Sequence, residues 1–268
     1  MSNNRIGKKL GATAAMAVAL AAIAPTWSVA QPAPPVAGAP VSAAPGAVPA
    51  GVPDMNGIYY ATTGFSYTPN NPRGGKQHPP LTPEYAKIYA DHVAAADAGL
   101  PTGDPTANCL PQGMPRFMNM PFGFEILQTP KQINFTSEWN EQTRRIYMDG
   151  RGHPADLEPS YNGHSIGHWE GDTLVIETVG LRADTVLDAS GIPHSDITRV
   201  VERIRFVDPV TLHADVTIYD RKAFTIDWTV TKVYKLQKDH PGLKEYICLE
   251  NNRNPVNEKG QTTTILPK

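Results

Sequence analysis

Cysteine is nearly missing from this chain. Its 268 residues hold two, Cys109 and Cys248. There is no CxxC pair and no Cys/His cluster at zinc spacing, so a structural zinc site and a dithiol redox motif are set aside. An excess of charge is missing too. Lys and Arg total 24 against 26 Asp and Glu, a formal net of −2, and no basic stripe or polybasic run occurs. That balance argues against nucleic acid as a partner and against electrostatic attachment to a membrane. No uninterrupted apolar run reaches spanning length; the longest is broken by Pro25.

What is present begins with an address. Arg5, Lys8 and Lys9 precede an Ala-rich apolar run from Leu10 to Ala24, and Ser28-Val29-Ala30 is a small-x-small site. This order predicts a signal peptide over residues 1–30, cleaved after Ala30, and a periplasmic or secreted protein with no stable membrane insertion afterwards. Residues 31–53 are rich in Pro, Ala, Gly and Val and predict a disordered linker. Residues 54–268 are long enough for one domain with a substantial core. In an exported setting Cys109 and Cys248 are expected to form a disulfide tying an early loop to the last strand, the alternative being two separate buried thiols. Such a bridge contributes about 4–5 kcal/mol in the chain-entropy picture.

One helix is predicted. Thr82 is the candidate N-cap, Pro83 suits the first turn, and Tyr85, Ile88, Tyr89, His92, Val93 and Ala96 recur at helical spacing until Gly99 and Pro101. His92 on that stripe reads as a packed histidine. After Met120 the pattern is strand upon strand: Phe122–Gln128, Ile133 with Phe135, Arg145 with Tyr147, His164–Trp169, Thr173–Val179, Ile197–Phe206, Leu212–Tyr219, Phe224–Leu236 and Tyr246–Leu249. Short connections favour antiparallel pairs. The expected fold is mainly β: a single-domain antiparallel β-barrel of calycin or lipocalin type with one N-terminal helix, or alternatively a β-sandwich.

Alternation also assigns faces. Val200, Glu202, Ile204 and Phe206 share the inward side of one strand, and Phe224, Ile226, Trp228, Val230, Lys232 and Tyr234 that of another. Glu202 and Lys232 therefore interrupt apolar stripes. Buried charges need partners. Either the two pair with each other, or Glu202 is protonated and serves as an acid/base group. His164, Ile166 and His168 share a face, which would present the two histidines at different depths of a barrel. They cannot chelate one ion by themselves, because four strand residues span roughly 13 Å; a metal drawing one of them together with His153 or His194 is geometrically open but has no spacing to support it, and neither metal nor cofactor is expected.

Gly163-x-Ser165-x-Gly167 carries the letters of a serine-hydrolase elbow. A true elbow sits between a buried parallel strand and a helix. Here a polar loop precedes it and a hairpin follows. His194-Ser195-Asp196 is read as a turn in which Ser195 or Asp196 caps backbone groups, with His194 a candidate site residue at a barrel end. The run Arg144, Arg145, Tyr147, Asp149, Arg151, His153 and Asp156 is polar. Its Arg and Tyr suit an anionic or phenolic ligand, or else form a solvated strand end.

Several phrases carry a resemblance: Asp104-Pro105-Thr106-Ala107-Asn108-Cys109-Leu110-Pro111, Gly113-Met114-Pro115-Arg116, the stretch from Asn162 to Val175, and Glu250-Asn251-Asn252-Arg253. Together they resemble a family of uncharacterised exported bacterial proteins. The resemblance implies one exported domain and brings no reaction or catalytic residues.

The functional expectation is a barrel binding a small apolar or aromatic molecule, with metal-free acid/base chemistry of lyase, isomerase or hydrolase type. Glu202, Lys232, His164, His168 and His194 are its candidate catalytic groups. Arg145, Tyr147, Trp228 and Tyr234 are its candidate ligand contacts. The alternatives are a non-catalytic periplasmic binder or carrier, a structural envelope protein, and a serine hydrolase acting through Ser165.

Overall fold

Among the described residues, apolar residues spaced by two form nine strands: β1 (Gly57–Ala61), β2 (Phe124–Gln128), β3 (Gln132–Ser137), β4 (Thr143–Tyr147), β5 (His164–Glu170), β6 (Thr173–Val179), β7 (Arg199–Asp208), β8 (Thr211–Tyr219) and β9 (Trp228–Leu236). In the computed structural model they close into a barrel, each bonded to the next and β9 to β1. Closure removes free edges, as expected for the barrel and not for the sandwich. The structure describes residues 50–62, 79–100 and 104–251, with positions 48, 102, 256, 258 and 259. The expected signal peptide and residues 31–47 and 49 of the expected linker lie outside the described residues. No helix among the described residues is long and apolar enough to cross a membrane.

The direction of the strands has a consequence. A ring of nine strands cannot alternate all the way round, so at least one neighbouring pair must be parallel. That pair is β4 with β5; the other eight are antiparallel. A parallel pair needs a long connection, and the polar run 148–163 between Tyr147 and His164 supplies it. The seam is short. Only Ile146↔Ser165 and Tyr147↔Ile166 are in register, against seven pairs between β5 and β6. The short connections join antiparallel pairs, as their length predicts; the parity of the ring makes the one pair joined by the long connection parallel.

Two other elements differ from expectation. Tyr246–Leu249 is not a strand. Tyr246 makes one isolated bridge to Trp139, and Cys248–Asn251 forms a single helical turn, α2. β1 takes its place in the ring. β9 starts at Trp228, because Phe224 instead bridges Leu81 ahead of the helix and Ile226 is exposed. The helix α1 (Pro83–Asp97) forms as expected and buries Tyr89. Thr82 does not cap it with its side chain; its hydroxyl donates to the Lys222 carbonyl at 2.9 Å. His92 Nδ1 donates to the Gly191 carbonyl at 2.8 Å, the packed role expected of it.

The barrel is filled. Ile126, Ile133, Phe135, Ile146, Ile176, Val200, Val216, Ile218 and Tyr234 are all buried inward residues. Residues 112–120 are buried without a break and bring Met114, Phe117 and Met118 into the same core. The Phe117 ring lies 6.4 Å from that of Phe124, and the Tyr234 hydroxyl donates to the Met118 carbonyl at 2.5 Å. A smaller cluster of Met120, Trp139 and Cys248 surrounds the Cys109–Cys248 disulfide. The bridge ties an early loop to α2. Asn140 clasps it, its amide donating to the Cys109 carbonyl and its Oδ1 accepting from the Cys248 N–H.

Candidate functional site

Alternation divides the polar residues of β4, β5 and β6 between two faces. Arg144, Ser165 and Thr178 point inward and are buried; Arg145, His164 and Glu177 point outward. The two sets build different things.

The inward set closes on Glu202. Arg144 grips both carboxylate oxygens, Nη1 to Oε1 at 3.1 Å and Nη2 to Oε2. Its Nε donates to Ser165 Oγ at 3.2 Å, and Nη2 also donates to Thr178 Oγ1 at 2.9 Å. Ser165 and Thr178 share a hydrogen bond of 2.9 Å, and the guanidinium lies 5.8 Å from the Phe135 ring centroid. Each member is 1% exposed or less. Bidentate pairing satisfies the geometry that a buried ion pair requires. The expected partnership of Glu202 with Lys232 is therefore corrected: Arg144, two residues before the inward Ile146, holds Glu202 instead. Ser165 has no histidine partner in this network and is not an activated nucleophile.

The other expected catalytic groups lie apart. Lys232 is buried, and burial pushes its ammonium down to about 8 while the charge of Asp188 pulls the other way. His194 is buried between Thr185 Oγ1 at 2.8 Å and Thr198 Oγ1 at 3.0 Å, and burial holds it below its ordinary value. Ser195 donates its hydroxyl to Asp220, and Asp196 pairs with Lys222 at the surface, so the His194-Ser195-Asp196 letters form a turn with no triad. His168 is exposed on the outer face, 3.2 Å from Glu170. The expected depths within a barrel are thus reversed for His164 and His168, since Ser165 and Trp169 take the inward side. Tyr234 packs edge-on against Phe124, and Trp228 lies against Phe224. Neither faces the open pocket described next.

That pocket lies at the parallel seam. It has a volume of about 410 Å³ and is bounded by Pro111, Gln142, Arg145, Tyr147, Tyr161 and His164, with Arg144 and Ser165 at its floor. Where β4 and β5 separate beyond their two registered pairs, the cavity opens. Two glycines let the surrounding loops close in. Gly163 has φ +61°, and a Cβ there would meet the Val179 carbonyl oxygen at 2.5 Å. Gly113, at φ +70°, lies against the Tyr161 carbonyl, where a Cβ would approach to 2.8 Å. Two amide oxygens of residues that line the pocket, Gln142 Oε1 and Asn162 Oδ1, are buried and have no hydrogen-bond partner among the described residues.

A ladder of rings and charges runs along its outer wall. Tyr147 stacks on His164 with ring centroids 5.1 Å apart, and the Arg151 guanidinium sits 4.0 Å over Tyr147. Asp149 pairs with Arg151. His153 Nδ1 and His164 Nδ1 are 2.8 Å apart. His153 Nε2 lies 3.3 Å from Glu177 Oε1, within ion-pair range though not in hydrogen-bond alignment. Glu177 also binds Arg199 at 2.8 Å. Burial first, then His153 and Arg151, hold His164 below its ordinary value. Arg145 is exposed, lines the pocket, and has no carboxylate partner among the described residues.

The structure thus gathers three of the expected residues, Arg145, Tyr147 and His164, and separates them from Glu202, Lys232, His194 and His168. Sequence reasoning assigned no site role to Gln142, Asn162, Tyr161 or Glu177. Only Glu177 carried a signal, a charge between the inward-facing Ile176 and Thr178 on β6. No family model matches the chain, and no curated protein does.

Proposed function

We propose that the protein binds a small aromatic or phenolic molecule in the seam pocket, as an exported ligand-binding barrel. The observation that carries this reading is Arg145. It is a pocket-lining guanidinium without a carboxylate partner among the described residues, next to the stacked rings of Tyr147 and His164. Such a pairing of cation and aromatic faces suits a planar ring bearing a phenolic or carboxylate oxygen. The pocket's volume is in the range of small-molecule sites. The barrel core, by contrast, takes in Met114, Phe117 and Met118 of the chain's own buried stretch 112–120. A disulfide-bearing barrel suits the exported setting.

Calorimetric titration with 4-hydroxybenzoate tests the reading. Arg145→Gln is expected to weaken binding about tenfold or more, the loss of roughly one charge-assisted hydrogen bond. Equal affinity in both proteins would overturn the assignment of this pocket.

A further inference from the structure

The outer ladder contains an order of protons. His153 Nε2 is buried beside the Glu177 carboxylate. A lone pair facing that carboxylate would be repelled, so the nitrogen carries a proton. In neutral His153 the other nitrogen, Nδ1, is then an acceptor. It lies 2.8 Å from His164 Nδ1, which must supply the hydrogen. The remaining nitrogen of His164, Nε2, is left with its lone pair. No described residue bonds it, and it is not sealed from solvent. His164 lines the seam pocket.

We propose that Glu177, acting through His153, fixes His164 as a proton acceptor, so that the seam pocket takes weakly acidic phenols and holds them as phenolates. This rests on the binding reading above and adds the ligand class and the role of each group. The phenol O–H bond breaks and an N–H bond forms at His164 Nε2. No electrons leave either partner. The phenolate oxygen faces the Arg145 guanidinium, and the new imidazolium charge is balanced by Glu177 across His153. His164 is the group that meets the ligand; His153 and Glu177 are positioning residues. The charged and titratable groups around His164 are Arg145 and Tyr147 on β4, Asp149, Arg151 and His153 on the connection, and Glu177 on β6 with Arg199 behind it. The depressed proton affinity of free His164 keeps the acceptor open near neutrality, and the incoming anion restores its affinity for the proton.

The probe is 4-nitrophenol, whose phenolate is coloured. Absorbance across pH, with wild type in excess, reads the protonation midpoint of bound dye. It is expected to fall below that of free dye by about 1–3 pH units. Glu177→Gln keeps the shape of a half-exposed side chain but removes the charge that orders the tautomers. It is expected to return the midpoint toward the free value by at least one pH unit, as is His164→Gln. Nitrogen-15 NMR of His164 should show Nε2 unprotonated in wild type and mixed in Glu177→Gln. A midpoint in Glu177→Gln equal to that of wild type would overturn the relay, as would a protonated Nε2 in wild type. Dye that binds with an unshifted midpoint would overturn the relay and leave the binding reading standing. No dye binding at millimolar concentration would overturn both.

Discussion

The two faces of β4, β5 and β6 carry polar clusters one residue apart in sequence, and the two are opposites in physics. Inside, Arg144, Ser165, Thr178 and Glu202 are buried and mutually bonded, and Glu202 is bound through both oxygens. Outside, Arg145, His164 and Glu177 are partly solvated, and Arg145 and His164 keep unspent hydrogen-bonding capacity at an open pocket. The Glu202 carboxylate, costly to leave unpaired when buried, is drawn into structural bonds, whereas Arg145 and His164, with capacity left for a ligand, lie where water reaches them. The polar break in an apolar stripe that draws the eye in the sequence is here the structural element, and its outward neighbours form the site.

Glu202→Gln leaves the Arg144 charge buried without its counter-ion. It is expected to cost about 3–5 kcal/mol in urea unfolding. The double variant Arg144→Met, Glu202→Leu should recover most of that stability, because an apolar pair of similar volume needs no desolvation to be repaid. Recovery with wild-type affinity for 4-hydroxybenzoate would sharpen the division between faces. Loss of binding in the recovered variant would break it.

Lys232 tests the interior differently. Its folded value, about 8, lies below the 10.5 of an ordinary lysine. Between those values the unfolded chain holds the extra proton, so stability should rise with pH across that window. The rise is on the order of 3 kcal/mol, and it should be missing from Lys232→Met. A flat difference between the two proteins would mean that the ammonium is better solvated than its burial implies.

On the outer face the expected stability effects are smaller. Arg145→Gln and His164→Gln should each change unfolding stability by only about 0.5 kcal/mol. Arg145→Gln should nevertheless weaken the ligand about tenfold, which is about 1.4 kcal/mol of binding free energy. A loss of stability as large as that of Glu202→Gln would place these residues with the structural cluster.

The long alternating strands were readable before any coordinates. The inward sets of β7 and β8 fall where period-two spacing puts them: Val200, Glu202 and Ile204, then Leu212, Ala214, Val216 and Ile218. β1 was missed because five residues bounded by a Pro/Ala-rich stretch offer too little pattern. The phase of β4 was recoverable in principle. Ile146 is its one aliphatic residue, and a step of two from Ile146 reaches Arg144. The depth of His164 was not recoverable, because β5 alternates His, Ser, Ile, Gly and His without a plain apolar face. The seam itself follows from nine strands closing in a ring, which can be counted only once the ring is known. The Glu177–His153–His164 chain joins β6, a loop and β5, and no sequence spacing encodes that contact.

The central claim is that the outer face of the parallel seam receives the ligand, and the filled interior does not. Backbone amide NMR during titration with 4-hydroxybenzoate tests it most directly. The account predicts the largest shifts at residues 142–147 and 160–165. Shifts centred instead on residues 112–120 and on the inward residues Val216, Lys232 and Tyr234 would contradict it.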